Sequence, residues 1–208
     1  MVTWEEIDKK ITLKIEQIFK NKPIYTMSSY ERRKTIFEYL CNNVTYDHEL
    51  LQDIELAKYF NEKLSRNPTT ELMSVVDKQH GICNAISQYY KLLLEKVGVK
   101  SYCVICDDQT EINHQLSLVY NDETNTYSFD DVTSVIVKRG TQEEYFDYDV
   151  EQARKLGQGT RILLTHQYFT VLTEEYIDYV VKRKQHPYET INGLPTNIEK
   201  VKPSGKKH

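Results

Sequence analysis

The chain has 208 residues and a formal net charge of −4, with 39% hydrophobic and 28% charged residues. This composition is typical of a globular protein with a sizeable core and argues against a disordered or membrane-embedded chain. No run approaches the roughly 20 apolar residues of a membrane-spanning helix, and the first residues show no secretory signal. We therefore expect a cytoplasmic protein whose four cysteines are thiols rather than disulfides.

The first third of the chain carries helix signals. Thr3 and Ser28, each with a glutamate three residues later, form capping boxes that predict helices over residues 4–20 and 29–42. Asp47 can cap a third helix. The apolar residues of this third helix share one face: Leu50, Ile54, Ala57, Phe60 and Leu64.

The middle of the chain changes from helical periodicity to alternation. A less regular segment over residues 69–80 leads into an amphipathic helix over 83–97, which ends at Gly98. Alternating residues then predict three strands, separated in part by a turn-forming cluster at 121–125. These strands cover residues 99–106, 112–120 and 126–131. Helices followed by an antiparallel meander indicate an α+β domain.

The last third is predicted to complete this domain and to end in a tail. The expected elements are a helix over 143–156, a strand over 161–172 and a helix capped by Thr173 that runs to 184. We therefore predict one domain over residues 1–184 and a basic, flexible tail over 185–208. The tail lacks interleaved aromatic residues, so we expect no nucleic-acid partner.

Cys83 is the first candidate for chemistry, because it lies at the predicted start of a helix. The partial positive charge there favours the thiolate, which is the reactive form of cysteine. The alternative is that Cys83 is a small buried hydrophobic residue. Cys103 and Cys106 do not suggest a metal or redox site, because there is no second pair. Positions three apart on a strand also point to opposite faces.

His114 and a following aspartate are the second and third candidates. His114 lies on an otherwise apolar strand face, where a hydrogen-bonded core histidine is the alternative reading. On the next strand, alternation places Asp131 at the end of an aromatic stripe. A carboxylate that orients a histidine beside a thiolate forms an activated nucleophile. The adjacent Asp130 is the alternative carboxylate.

Three motifs in this order resemble the transglutaminase-like superfamily of cysteine enzymes. That family has a G-x-C-x-[GA]-[aromatic or aliphatic]-[AS] helix start, a histidine strand and a D-x-T strand end. The matching residues are Gly81, Cys83, Ala85, Ile86 and Ser87, then Asn113 and His114, then Asp131 and Thr133. The stretch 36–47 also resembles a segment of bacterial members, so the resemblance covers roughly residues 29–134.

The resemblance implies a papain-like core, in which a helical N-terminal lobe bears the cysteine and packs on an antiparallel sheet that bears the histidine and aspartate. It implies Cys83 as nucleophile, His114 as general base and acid, and Asp131 as the orienting carboxylate. The oxyanion hole would include the backbone N–H of Cys83. Tyr46, Gln79 or another upstream polar group would supply a second donor.

The implied activity is thiol-based acyl transfer on a protein or peptide substrate, without a metal or organic cofactor. A protease or amidase uses water to resolve the acyl-enzyme, whereas a transglutaminase uses an amine. We favour hydrolysis, because water is present at about 55 M and its exclusion needs a shaped tunnel. A non-catalytic binding module that retains the fold is a further alternative. The sequence leaves the oligomeric state open.

Overall fold

A computed structural model describes residues 3–61, 68–107, 114–156, 161–164 and 167–170. The helices are α1 Trp4–Ile18, α2 Ser29–Asn43, α3 His48–Tyr59, α4 Pro68–Lys78, α5 Cys83–Lys96, α6 Val132–Ile136, α7 Gln142–Tyr145 and α8 Val150–Lys155. The strands are β1 Thr45–Tyr46, β2 His80–Gly81, β3 Ser101–Asp107, β4 His114–Asn121, β5 Thr126–Asp130, β6 Arg161–Leu164 and β7 Gln167–Thr170. The chain has the predicted α+β fold.

Five strands form one antiparallel sheet in the order β5-β4-β3-β6-β7. The predicted meander of three strands is confirmed as β3, β4 and β5. The single strand expected over 161–172 was wrong, because β6 and β7 pair with each other as a hairpin. The two residues between them include no Gly, Pro, Asn or Asp, so the usual turn signal was missing.

Helix α5 is the centre of the core. It packs against β3 and β4 on one side and against α1, α2 and α4 on the other. The helix is amphipathic, as predicted, and its large buried apolar residues are Ile86, Tyr89, Tyr90, Leu93 and Leu94. Both predicted capping boxes are present, at Thr3 and Ser28, and they start α1 and α2 where the sequence indicated. The helical lobe therefore holds one face of the sheet through α5.

The segment over 69–80, expected to be irregular, is mainly helix α4. Pro68 is its first residue, where proline lacks only an N–H that would have no helical partner. Leu72, Val75 and Val76 are buried against the core. The sequence interpretation therefore missed a helix that begins at Pro68.

The helix expected over 143–156 is divided into α7 and α8. Between them, Tyr148 forms an isolated antiparallel bridge with Phe129 at the edge of β5. Asp147 adopts a left-handed conformation with φ of 54°. Pairing with the sheet edge therefore overrides the helical tendency of the intervening residues.

Helix α3 begins after Asp47, whose side chain accepts a hydrogen bond from the backbone N–H of Leu50, as predicted. The expected apolar face is not covered within the described part of the helix. None of its twelve residues is buried, and Leu56 and Tyr59 are exposed, as is Phe60 at its end. Leu64, the helix predicted over 173–184 and the tail lie outside the described residues.

A short parallel pairing joins the segment before α3 to the segment before α5. Thr45 pairs with His80, and Tyr46 pairs with Gly81. Gly81 is needed here for space, because a Cβ atom at this position would lie 2.3 Å from the Cγ2 atom of Val75. Val75 is fully buried and β-branched, so it cannot move aside easily. The described helices include none that is long and apolar enough to cross a membrane.

We predict that Gly81→Ala lowers the free energy of unfolding by about 1–3 kcal/mol, because the added methyl group overpacks a filled site. Urea denaturation monitored by circular dichroism measures the loss. In the double variant Gly81→Ala/Val75→Ala the clashing methyl group is absent, so the combined loss should be smaller than the sum of the single losses. Strict additivity of the two losses would contradict the close approach.

Candidate active site

Cys83 is the first residue of α5. The preceding Ile82 is the N-cap and makes no side-chain hydrogen bond to the helix. The first backbone N–H groups of α5 therefore lack a side-chain cap, and the positive end of the helix dipole lies at the sulfur. The backbone N–H of Gln115 lies near the Cys83 sulfur and lowers the pKa of the thiol. Both features favour a thiolate at this position.

The structure brings Cys83, His114 and Asp131 together. His114 begins β4 and Asp131 immediately follows β5. The Nε2 atom of His114 lies 2.8 Å from Oδ2 of Asp131. The side chain of Cys83 lies beside the side chain of His114, and each favours the charged form of the other. Because Nε2 faces the carboxylate, Nδ1 is the ring nitrogen that remains for the sulfur.

Asp131 is held by the helix that it caps. Its Oδ1 accepts a hydrogen bond from the backbone N–H of Ser134 at 3.0 Å, and its Oδ2 accepts one from the Ser134 hydroxyl at 2.6 Å. Burial raises the pKa of Asp131, but the His114 charge and these hydrogen bonds together lower it below its ordinary value. The sequence interpretation missed Ser134. Its only signal was an aspartate three residues before a serine, a spacing compatible with an N-cap.

The charges of the cysteine and the histidine stabilise each other. Burial opposes ionisation of Cys83, but the hydrogen bond to His114, the imidazolium charge and the Gln115 N–H lower its pKa below the ordinary value. Burial likewise disfavours the charged form of His114, but Asp131 and Cys83 raise its pKa to about 10. The arrangement therefore favours a thiolate beside an imidazolium at neutral pH.

The alternative carboxylate, Asp130, points to different partners. Arg33 on α2 donates to both of its oxygens, from Nε at 2.7 Å and from Nη2 at 2.6 Å. The Tyr90 hydroxyl donates to Oδ2 at 2.7 Å. Asp130 therefore faces α2 and α5, whereas Asp131 faces His114.

The two candidate oxyanion donors differ in their surroundings. The hydroxyl of Tyr46 lies beside both the backbone N–H and the side chain of Cys83. Burial and the nearby Cys83 charge raise the pKa of Tyr46. The Gln79 amide instead donates to the Tyr39 hydroxyl at 2.9 Å. Of the two, Tyr46 is the side chain that the structure places beside the sulfur.

The other described cysteine side chains have different environments. Burial raises the pKa of Cys103 to about 12, and burial also raises the pKa of Cys41. Among the three thiols that the structure describes, Cys83 alone has a lowered pKa. The described residues contain no group of three or more His, Cys, Asp or Glu side chains arranged to hold a metal ion.

Comparison with solved structures supports the fold. The chain is similar to a crystal structure of a TGase, with a TM-score of 0.56 and 20% sequence identity. The match covers 92% of this chain and 50% of the TGase chain, so this chain spans about half the length of that protein. At this identity the likeness shows a transglutaminase-like fold and not an activity.

A second solved structure is less similar. It is Rad4-Rad23 bound to a 6-4 photoproduct UV lesion, with a TM-score of 0.43, 12% identity, and coverage of 76% of this chain and 40% of that one. This weak likeness supports no conclusion about the chain. No protein-family model matches the sequence, and no curated protein matches it either.

We predict that iodoacetamide alkylates Cys83 at pH 6 at least about tenfold faster than it alkylates Cys41 or Cys103, because the thiolate is the reactive form. Peptide mapping by mass spectrometry measures the three rates. The variant His114→Gln removes the imidazolium, so the thiolate pKa rises and the rate at pH 6 falls by about tenfold or more. Equal rates at the three cysteines would contradict the proposed ion pair.

Proposed function

We propose that the protein is a thiol-dependent acyl-transfer enzyme of the transglutaminase-like type, with Cys83 as nucleophile, His114 as acid and base, and Asp131 as the orienting carboxylate. The observation that supports this proposal is the convergence of these three side chains at the start of α5, with a lowered pKa at the sulfur. The proposed catalytic domain covers residues 1–184. A binding module would not require this charge arrangement.

In the proposed reaction the Cys83 thiolate adds to the carbonyl carbon of a carboxamide or peptide bond, and the carbonyl oxygen becomes an oxyanion. When the C–N bond breaks, the electron pair leaves with the nitrogen and His114 donates its proton to the departing amine. A thioester to Cys83 remains. His114, now neutral, removes a proton from the incoming water or amine, which displaces the sulfur as thiolate.

Asp131 keeps the ring of His114 in the orientation that this proton transfer needs. Its hydrogen bond to Nε2 directs Nδ1 toward the sulfur and stabilises the imidazolium. The carboxylate stays ionised throughout, because its pKa is lowered by His114 and Ser134 despite its burial. Ser134 supports the same orientation, because its hydroxyl donates to Oδ2 and its backbone N–H donates to Oδ1.

The proposed oxyanion hole combines the backbone N–H of Cys83 with the hydroxyl of Tyr46. In the present arrangement the hydroxyl oxygen lies near this N–H, in the region where a substrate oxygen would accept its bond. When substrate enters, the hydroxyl has to shift and donate to the oxyanion. In that position the N–H and the hydroxyl would together stabilise the charge that develops during the reaction.

We propose a protein or peptide substrate and hydrolysis as the main outcome, which would make the enzyme a cysteine protease or amidase. Water needs no dedicated binding site, whereas an amine acceptor does. A transglutaminase is the second candidate, supported by the similarity of the fold to a TGase. The proposed chemistry needs no cofactor. It needs a reduced thiol, in keeping with the expected cytoplasmic location.

We predict that Cys83→Ala lowers turnover of a glutamine-containing peptide library by about 10³-fold or more, because the thioester cannot form. Release of ammonia or of a new amino terminus measures hydrolysis, and incorporation of a fluorescent amine measures transfer. The matched control, Cys41→Ala, should retain activity. In wild type, intact-mass spectrometry after acid quenching should show an acyl adduct on Cys83 that hydroxylamine removes. Full activity of Cys83→Ala would refute the proposed function.

We predict that Tyr46→Phe lowers kcat by about 10²-fold, in line with the removal of one oxyanion donor, and changes KM little. The hydroxyl stabilises charge that develops only in the transition state, so substrate binding should be largely retained. Tyr39→Phe is the matched control, because it removes the hydroxyl that binds Gln79 and lies outside the proposed hole. A larger loss of kcat in Tyr39→Phe than in Tyr46→Phe would favour Gln79 as the second donor.

A further inference from the structure

Arg33 is a buried cation that the reaction described above does not use. It lies in the second turn of α2, and 2% of its side chain is exposed. Besides the two bonds to Asp130, its Nη1 donates to Asp147 at 2.8 Å and its Nη2 donates to Ser128 at 3.0 Å. The ring of Phe146 lies 4.9 Å from the guanidinium carbon. The guanidinium is thus fixed on several sides.

This cluster surrounds the backbone that carries Asp131. Asp130 is the last residue of β5, and its carboxylate also accepts the backbone N–H of Asp147 at 2.8 Å. The next N–H along the chain, that of Asp131, donates to the carbonyl of Tyr145 at 2.9 Å. Phe129 exchanges two backbone hydrogen bonds with Tyr148. The residues on both sides of the Asp131 peptide are therefore held against the segment 145–148.

The two neighbouring aspartates depend on each other through this backbone. Successive residues at a strand end point in different directions. The hydrogen bonds that hold Asp130 toward α2 therefore also set the direction of Asp131. Arg33 makes these bonds through a planar, bidentate pair of donors, which fixes the orientation of the Asp130 carboxylate as well as its distance. A lysine would supply one point charge and no such constraint.

We propose that Arg33 is a positioning residue for the active site, which acts by holding Asp130 so that Asp131 faces Nε2 of His114. The proposal rests on the proposed function of Cys83, His114 and Asp131. Stability alone is a poor reason for this cluster, because a buried ion pair is often no more stabilising than apolar side chains of the same volume. Hydrogen bonds fix the orientation of the Asp130 carboxylate, which apolar packing cannot do.

The test is the variant Arg33→Lys in the full chain, with the pH dependence of Cys83 alkylation by iodoacetamide as the readout. If Asp131 turns from His114, the imidazolium is less stable, the apparent pKa of Cys83 rises, and the rate at pH 6 falls by about tenfold. Asp131 also repels the thiolate, but His114 influences the Cys83 pKa more strongly than Asp131 does. At pH 10 both proteins should react at similar rates, since both thiols are then largely ionised.

A matched control separates positioning from stability. Lys91 is also buried, on α5, and forms an ion pair with Glu95. Lys91→Met removes a buried charge without touching the Asp130 cluster, so it should lower the melting temperature but leave the pH profile of Cys83 unchanged. If Arg33→Lys also leaves the profile unchanged while it lowers the melting temperature, Arg33 is only structural and the proposal is overturned.

A second variant covers the case in which Arg33→Lys does not fold. Asp130→Asn preserves the shape of the partner and weakens the same bidentate pair, so it should move the alkylation profile in the same direction. An unchanged profile in this variant also overturns the proposal. Because alkylation needs no substrate, a protein without turnover on any peptide can still show the shift. Failure of the proposed function and failure of the Arg33 proposal are therefore distinguishable.

Discussion

The carboxylate of Asp131 is the group on which the candidate site depends. Its side chain is fully buried, yet its pKa is lowered because His114 and Ser134 compensate for the lost water. The charged carboxylate then raises the pKa of His114, and the imidazolium in turn lowers the pKa of Cys83. Charge at the sulfur is thus supported through two successive pairs of opposite charge. Removal of His114 or Asp131 would leave a buried charge without its partner, which costs several kcal/mol.

The sheet and the helical lobe each supply part of this chain of charges, which explains why an α+β arrangement suits it. Strands β4 and β5 are adjacent and antiparallel, so the beginning of β4 and the end of β5 lie at the same end of the sheet. The N-terminus of α5 reaches that end, and Ser87 of this helix donates to the carbonyl of Gln115 at 3.0 Å. A contact between helix and strand backbone therefore sets the distance between nucleophile and base more rigidly than side-chain packing alone could.

Local signals in the sequence predicted what local physics determines. The capping boxes at Thr3 and Ser28 and the alternation in β4 and β5 depend on residues close in the chain, and the structure has these elements where they were expected. The hairpin β6–β7 and the bridge at Tyr148 depend on pairing with distant strands, which no local pattern specifies. The alternation of residues in β5 was enough to prefer Asp131 to Asp130. The role of Arg33 could not be predicted from a local pattern, because 97 residues separate it from Asp130.

The position of Tyr46 also depends on residues that are distant in the chain, because a two-residue parallel pairing places it beside Cys83. The N–H of Asp47 donates to the carbonyl of Gly81 at 3.0 Å, so Tyr46 is fixed directly alongside the residues that lead into α5. The close approach of Val75 to Gly81 holds this pairing from the other side. Packing thus explains why the motif has a glycine, Gly81, two positions before Cys83. Gly81 allows α4 to approach, and that approach holds in place strand β1, which carries the proposed oxyanion donor Tyr46.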